Sequence, residues 1–197
     1  MKMNEYVIRS DRRQSLPDPN TSALLLIDLQ EYFREIATPI IMNLAQLITR
    51  CRQRHVPIIY TQHAHPSPES DGGMLAKWWG DLIIAGTPVA NILHELSPEP
   101  ADKIVHKTRY SAFHNTDLHA YLKEQRIRQV IIAGVMTNLC CETTARDAFV
   151  RDYEVFFLAD GTATVSDQYH RATLLNLSFG FAHLTTCYDA ARSLVSQ

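Results

Sequence analysis

The stretch "QVIIAGVMTNLCCETTARDAF", Gln129 to Phe149, changes character part-way along. After Gln129 comes an unbroken apolar, β-branched run to Val135, the pattern of a strand buried on both faces. Beyond Gly134 the apolar residues recur at helical spacing. Cys141, Ala145, Ala148 and Phe149 fall at i, i+4, i+7 and i+8, and Cys140, Thr143, Thr144 and Asp147 form an adjoining polar face. A strand covered on both sides that feeds straight into a helix is the repeating unit of a parallel sheet.

The alternation continues in both directions. Further short apolar runs occupy Ala23 to Asp28, Val56 to Gln62, Lys103 to Lys107, Glu154 to Asp160 and Ala182 to Thr186. Helical patterns lie between and after them, at Pro39 to Gln53, Val89 to Leu96, Asn115 to Gln125, Asn138 to Asp152, Asp167 to Phe179 and Tyr188 to Val195. This order predicts an α/β fold, a three-layer α/β/α sandwich around a mostly parallel six-stranded sheet, Rossmann-like in layout. Residues 1–20 read as an N-terminal arm without a core of its own, and 21–197 as one domain. The connection from His63 to Gly86, rich in Pro, Ser and Gly and then carrying "KWWG", is the longest without a clear period and is expected to cover or line a site.

Composition narrows the partners. The 197 residues are 46% hydrophobic and 20% charged, with a net charge of -2 and the signs interspersed, which gives no electrostatic basis for binding nucleic acid or an anionic membrane. No apolar segment approaches the roughly 20 residues of a membrane span, and the charges in "MKMNEYVIRSDRRQ" interrupt any signal-peptide core. A cytoplasmic protein acting on a small molecule is expected. The four cysteines, Cys51, Cys140, Cys141 and Cys187, show no C-x-x-C spacing and read as reduced thiols.

Ligands of a parallel α/β sheet bind beyond the carboxyl ends of its strands. Asp28 ends an otherwise apolar strand, Lys107 ends the third, and Cys140 lies just past the fourth. Taken singly, each has an ordinary reading as a turn former, a solvated lysine or a small buried hydrophobe. Brought to one sheet edge, they make a nucleophile, a proton acceptor and a cation. Cys140 falls in the first turn of the expected helix, where free N–H groups and the helix dipole lower a thiol pKa, while Cys141 falls on the packing stripe. Asp28 can take the thiol proton and return it to a departing amine, and Lys107 can keep the cluster ionised.

At these residues the sequence resembles the isochorismatase-like cysteine hydrolase superfamily, from "ALLLIDLQEYF" through "KTRYSAFHNTDL" to "GVMTNLCCETTARDAF". The resemblance implies an Asp28–Lys107–Cys140 triad and a thioester mechanism. It also implies a cis peptide between Val135 and Met136 that turns the N–H groups of Met136 and Cys140 toward the substrate oxygen as an oxyanion hole. Family habit adds a homodimer or homotetramer.

The nicotinamidase branch binds a metal through Asp-x-His-Pro and two further histidines. Here the stretch is "HAHP", with His63 in place of the acid and His65 matching, and no histidine follows until His94. No metal or other cofactor is therefore expected. "MLAKWWGDLI" and the "KTRYSAF" run look more like the isochorismatase branch, and Phe33 and Trp79 are candidates to line a planar substrate pocket. The expected activity is hydrolysis of a small amide, ureido or carbamoyl compound. The alternatives are isochorismate hydrolysis or a catalytically idle scaffold of the same fold.

Overall fold

A computed structural model describes residues 15–194. Six strands, β1 (Ser22–Ile27), β2 (Ile58–His63), β3 (Lys103–Lys107), β4 (Gln129–Val135), β5 (Glu154–Ala163) and β6 (His183–Thr185), form one sheet in the order β3-β2-β1-β4-β5-β6. All its pairings are parallel. The helices are α1 (Ile41–Gln53), α2 (Gly73–Trp79), α3 (Leu118–Glu124), α4 (Glu142–Phe149), α5 (Asp167–Gly180) and α6 (Cys187–Ser193), besides single helical turns.

The three layers follow from the period of two along each strand. Leu24, Leu26, Ile131, Ala133 and Phe156 point to one face, where Leu44, Leu47 and Ile48 of α1 and Ala190 of α6 cover them. Ala23, Leu25, Ile27, Ile132 and Phe157 point to the other, against Leu122 of α3, Ala145 and Ala148 of α4 and Leu177 of α5. With a helix layer on either side, no strand position needs to be polar. The central strands therefore read as continuous apolar runs.

Several expected elements change on closer view. The helix read at Val89 to Leu96 is instead two 3-10 turns, Pro88–Ala90 and His94–Leu96. Between them Ile92 bridges to Gln30, and the Asn91 carbonyl accepts from Glu31 N at 2.9 Å, which commits the backbone to the loop after β1. The connection from His63 to Gly86 contains a helical turn, Pro68–Asp71, and then α2. Of the arm read at 1–20, residues 1–14 lie outside the described residues. Its end is tied to the sheet, since Asp18 N donates to Gln129 Oε1 at 2.7 Å.

Gly134 of β4 packs tightly against Ile27 of β1. Its φ is +120°, and a Cβ there would stand 2.1 Å from the Ile27 carbonyl oxygen, which is backbone and cannot rotate away. Strain of about 3 kcal/mol from the dihedral alone corresponds to roughly 10 °C in a chain of this size. Gly134→Ala is expected to lower the melting temperature by at least that much. A scanning-calorimetry midpoint within about 2 °C of wild type would refute the close-approach reading.

Candidate active site

The strand order reverses between β1 and β4, and a crevice opens at such a point beyond the strand ends. Asp28 follows β1 and Cys140 follows β4, so one stands on each side of it. Asp28 takes a positive φ of 50°, a conformation that Asp adopts more readily than most residues. Thr61 of the neighbouring β2 holds it there. The Thr61 hydroxyl accepts from Asp28 N at 3.0 Å and donates to Asp28 Oδ1 at 2.5 Å.

Lys107 reaches this point from β3, two strands away. At about 4.8 Å per strand the backbones are roughly 10 Å apart, a gap that a four-carbon stem can close and a short side chain cannot. Its ammonium lies 2.7 Å from Asp28 Oδ2, with both side chains wholly shielded from solvent, and donates to the Arg109 carbonyl at 2.9 Å. Burial alone would depress the Lys107 pKa, but its contacts with the Asp28 carboxylate and the Cys140 sulfur more than offset this and raise the pKa above its ordinary value. The lysine is therefore charged, and Asp28 is its counter-ion.

Cys140 sits beside both charges. It lies in a single wide π-turn, Thr137–Cys141, in which Cys141 N reaches back to Met136 O at 3.2 Å, and not in the first turn of an α-helix as the sequence suggested. Its pKa also moves opposite to the sequence expectation. Burial raises it most, Lys107 opposes this, and the Asp28 charge pushes it further up. Desolvation opposes the helix-end effect and favours the protonated thiol. The Val135–Met136 peptide that leads into the turn is cis.

Cys141 is fully buried with Ala145 and Ala148, as the helical stripe indicated, but Phe149 is not part of that packing. It is 46% exposed and meets the Phe181 ring edge-on. Thr144, read as part of a polar face, is buried and accepts from Ala112 N at 3.0 Å, which anchors the loop after β3.

A cavity of about 280 Å³ opens above the thiol, and Phe33, His63, Trp79, Tyr110, Met136 and Cys140 are among its walls. The structure thus brings Phe33 and Trp79 round the same space as the cysteine. A larger outer groove of about 570 Å³ continues past Trp79 and Tyr110 toward Trp78 and Tyr169 but does not include Cys140. The Trp79 indole donates to Tyr110 OH at 2.8 Å, so α2 does line the site as its sequence suggested.

Sequence reasoning missed Thr61 and Gln30. The buried Gln30 amide donates to the His63 and Ala90 carbonyls at 3.0 and 2.8 Å, and its oxygen accepts from His63 N at 2.8 Å. It therefore pins the end of β2 to two loops. A polar residue two positions past Asp28 was the available signal.

Comparison with known proteins agrees with this architecture. Residues 22–189 match the isochorismatase domain family. The chain belongs to the isochorismatase-like hydrolase superfamily. Among its relatives, Nicotinamidase 3 of Arabidopsis thaliana is 45% identical over 188 residues, covering 94% of each chain. Enterobactin synthase component B of Escherichia coli (strain K12) is 34% identical over 80% of this chain, which spans only 58% of that protein. A cysteine hydrolase structure from Pseudomonas syringae pv. phaseolicola 1448A superposes with a TM-score of 0.88 at 28% identity, covering 92% of this chain and 95% of that one.

The metal of the superfamily's nicotinamidase branch can be tested against the donors present. His63 Nδ1 and His65 Nε2 are buried without partners, so two ring nitrogens are unengaged. Asp71 is already engaged, with Oδ1 2.8 Å from His65 Nδ1 and Oδ2 accepting from Ser67 N. Among the described residues no group of three or more His, Cys, Asp or Glu is disposed to hold a metal ion. Catalytic zinc takes three protein ligands, and the residues here do not supply them. No helix among the described residues is long and apolar enough to cross a membrane.

Proposed function

We propose that this superfamily member is a cysteine-dependent amidohydrolase that cleaves a small, uncharged, planar carboxamide. The observation that carries this reading is a buried cysteine beside the Asp28–Lys107 pair, under a cavity whose walls include no lysine or arginine. The one acidic residue in the walls is Asp81, to which Tyr32 OH donates at 3.1 Å. Such a cavity suits an uncharged substrate between Phe33 and Trp79. It is unsuited to isochorismate, whose carboxylates would be desolvated without a cationic partner.

In this mechanism Asp28 takes the Sγ proton as the sulfur adds to the amide carbon. Without that acceptor the buried thiol could not ionise. The carbonyl oxygen becomes an oxyanion that the N–H groups of Met136 and Cys140 receive, and this is the charge that preorganised donors stabilise most. Asp28 then passes the proton to the leaving nitrogen, ammonia departs and a thioester remains. Water, deprotonated by Asp28, hydrolyses the thioester and restores the thiol. Lys107 stays charged throughout and keeps Asp28 ionised at the start of each cycle.

The Arabidopsis relative makes nicotinamide the first probe. Release of ammonia from nicotinamide, with an acyl adduct on the Cys140 peptide after acid quench and mass spectrometry, is the expected result. Turnover of isochorismate with none of nicotinamide or simple ureides would reverse the assignment.

A further inference from the structure

Thr137 opens the turn that carries Cys140, and the mechanism leaves its side chain unused. It is wholly buried and lines neither the cavity nor the outer groove, so it does not meet a substrate held there. Met136 before it and Cys140 after it supply the two proposed oxyanion donors. Whatever fixes Thr137 therefore fixes where those N–H groups point. The backbone of the turn does little of this by itself, because the Leu139 and Cys141 N–H groups converge on one carbonyl, Met136 O, at 3.1 and 3.2 Å.

The Thr137 hydroxyl stands 3.0 Å from His170 Nδ1, at hydrogen-bond distance. His170 belongs to the first turn of α5, where its N–H donates to Ser166 O at 3.1 Å, and the Ser166 hydroxyl caps the helix by accepting from Gln168 N. The ring is half-buried and is absent from the walls of both hollows. Burial lowers its pKa, against the opposing pull of the Ala159 carbonyl and Asp167, so the imidazole is mostly neutral at physiological pH. Two further bonds come from the same stretch. Thr164 Oγ1, just ahead of α5, donates to Asn138 Oδ1 at 2.6 Å, and Thr173 Oγ1, one turn beyond His170, donates to Glu142 Oε2 at 2.6 Å. The nucleophile's turn is thus splinted from one side, and the His170 bond is the one that acts beside the Met136 donor.

We propose that His170 is a positioning residue for hydrolysis at Cys140, holding the Met136 and Cys140 N–H groups through Thr137 on the place where the substrate oxygen becomes an anion. This rests on the amidohydrolase reading for its chemistry. It goes beyond that reading by tracing the aim of the oxyanion hole to a helix that the substrate never touches. Preorganised donors stabilise a developing charge only where they already point, and a misplacement on the order of 1 Å can cost about 10²-fold in rate. Loss of His170 should therefore be felt in the chemical step and not in ground-state binding.

The test uses the full-length protein, nicotinamide as substrate and nicotinaldehyde as a probe of the tetrahedral state. The Cys140 sulfur adds reversibly to the aldehyde carbon and the thiol proton ends on the aldehyde oxygen. The resulting thiohemiacetal has no leaving group to lose, so its affinity reads the hole. His170→Phe keeps a ring without a polar atom, and His170→Asn keeps an amide near the place of Nδ1 that can donate or accept. Thr137→Val removes the other end of the same bond, which keeps the test open should His170→Phe fail to fold. Ammonia release gives kcat and KM, and titration calorimetry gives the aldehyde Kd.

His170→Phe is expected to lower kcat by about tenfold or more and to weaken the aldehyde by a similar factor, with KM within about twofold of wild type. His170→Asn should recover most of both. Thr137→Val should resemble His170→Phe, and the double variant should be no worse than either single one, as expected for two ends of one bond. A rise in KM with kcat unchanged would overturn the proposal, as would an Asn variant as slow as the Phe variant, or losses that simply multiply in the double variant. Aldehyde affinity unchanged while kcat falls, or no aldehyde adduct in wild type, would also overturn it. Wild-type turnover of nicotinamide that every variant retains would leave the amidohydrolase reading standing and remove His170 from it. His170-dependent aldehyde affinity in a protein that releases no ammonia from nicotinamide would do the reverse.

Discussion

Cys140→Ser is expected to reduce turnover of any carboxamide substrate by at least ~10⁴-fold, the scale on which loss of a nucleophile is felt when its partners remain. A serine hydroxyl in this place is a far weaker acid and a poorer nucleophile than the thiol. The neighbouring cysteine provides the control. Cys141 is fully buried between the sheet and α4, so Cys141→Ser places an unpaired hydroxyl in an apolar setting. That substitution costs about 1–3 kcal/mol of stability but should leave kcat within about twofold. Parallel assays and thermal melts of the two variants separate the roles. Comparable activity losses in both would mean that the two side chains act as one packed unit and that no thioester forms on Cys140.

The second large effect concerns Lys107. Lys107→Met keeps most of the side-chain volume but leaves the Asp28 carboxylate buried without its counter-ion 2.7 Å away. Removing one partner of a buried pair costs about 3–5 kcal/mol, roughly 10 °C here. Activity should fall by about 10²–10³-fold through the loss of a matched charge beside the reacting sulfur. The double variant Asp28→Leu, Lys107→Met discriminates between explanations. It should regain much of the lost stability, because neither charge is then stranded, and none of the activity. If it recovered activity too, the pair would be scaffolding and not machinery.

The pH dependence carries a sign of its own. The Lys107 pKa is raised above the ordinary 10.5 despite burial. The stabilisation from the pair is therefore fully present at neutral pH and is lost as the pH rises through the higher folded value. The melting-temperature gap between wild type and Lys107→Met should accordingly be flat across neutral pH and narrow in strong alkali.

The sheet was legible in the sequence because its central strands are covered on both faces, which forces unbroken apolar runs such as Ala23 to Ile27 and Val130 to Val135. Three residues at the edge were legible for the complementary reason, since a charge or thiol that interrupts the end of such a run is conspicuous. Val89 to Leu96 misled because a helical apolar spacing there serves two 3-10 turns tied to Gln30 and Glu31, contacts some 60 positions away in the chain that no local period records. Thr61 stayed hidden inside a β-branched run, where its hydroxyl reads as ordinary strand packing. Its bond to Asp28 depends on which strand pairs with β1. The Cys140 pKa failed in sign because sequence position shows the end of a helix but not the depth of burial.

The walls described above also bear on how the reaction ends. Hydrolysis of a carboxamide turns a neutral guest into an anion, formed where Lys107 is already matched by Asp28 and where Asp81 stands among the wall residues. A carboxylate stripped of water and unpaired is unfavourable by several kcal/mol, which favours release of the acid. For the proposed carboxamide substrate, the same lining that admits the amide would hold the acid poorly, so weak product inhibition is expected.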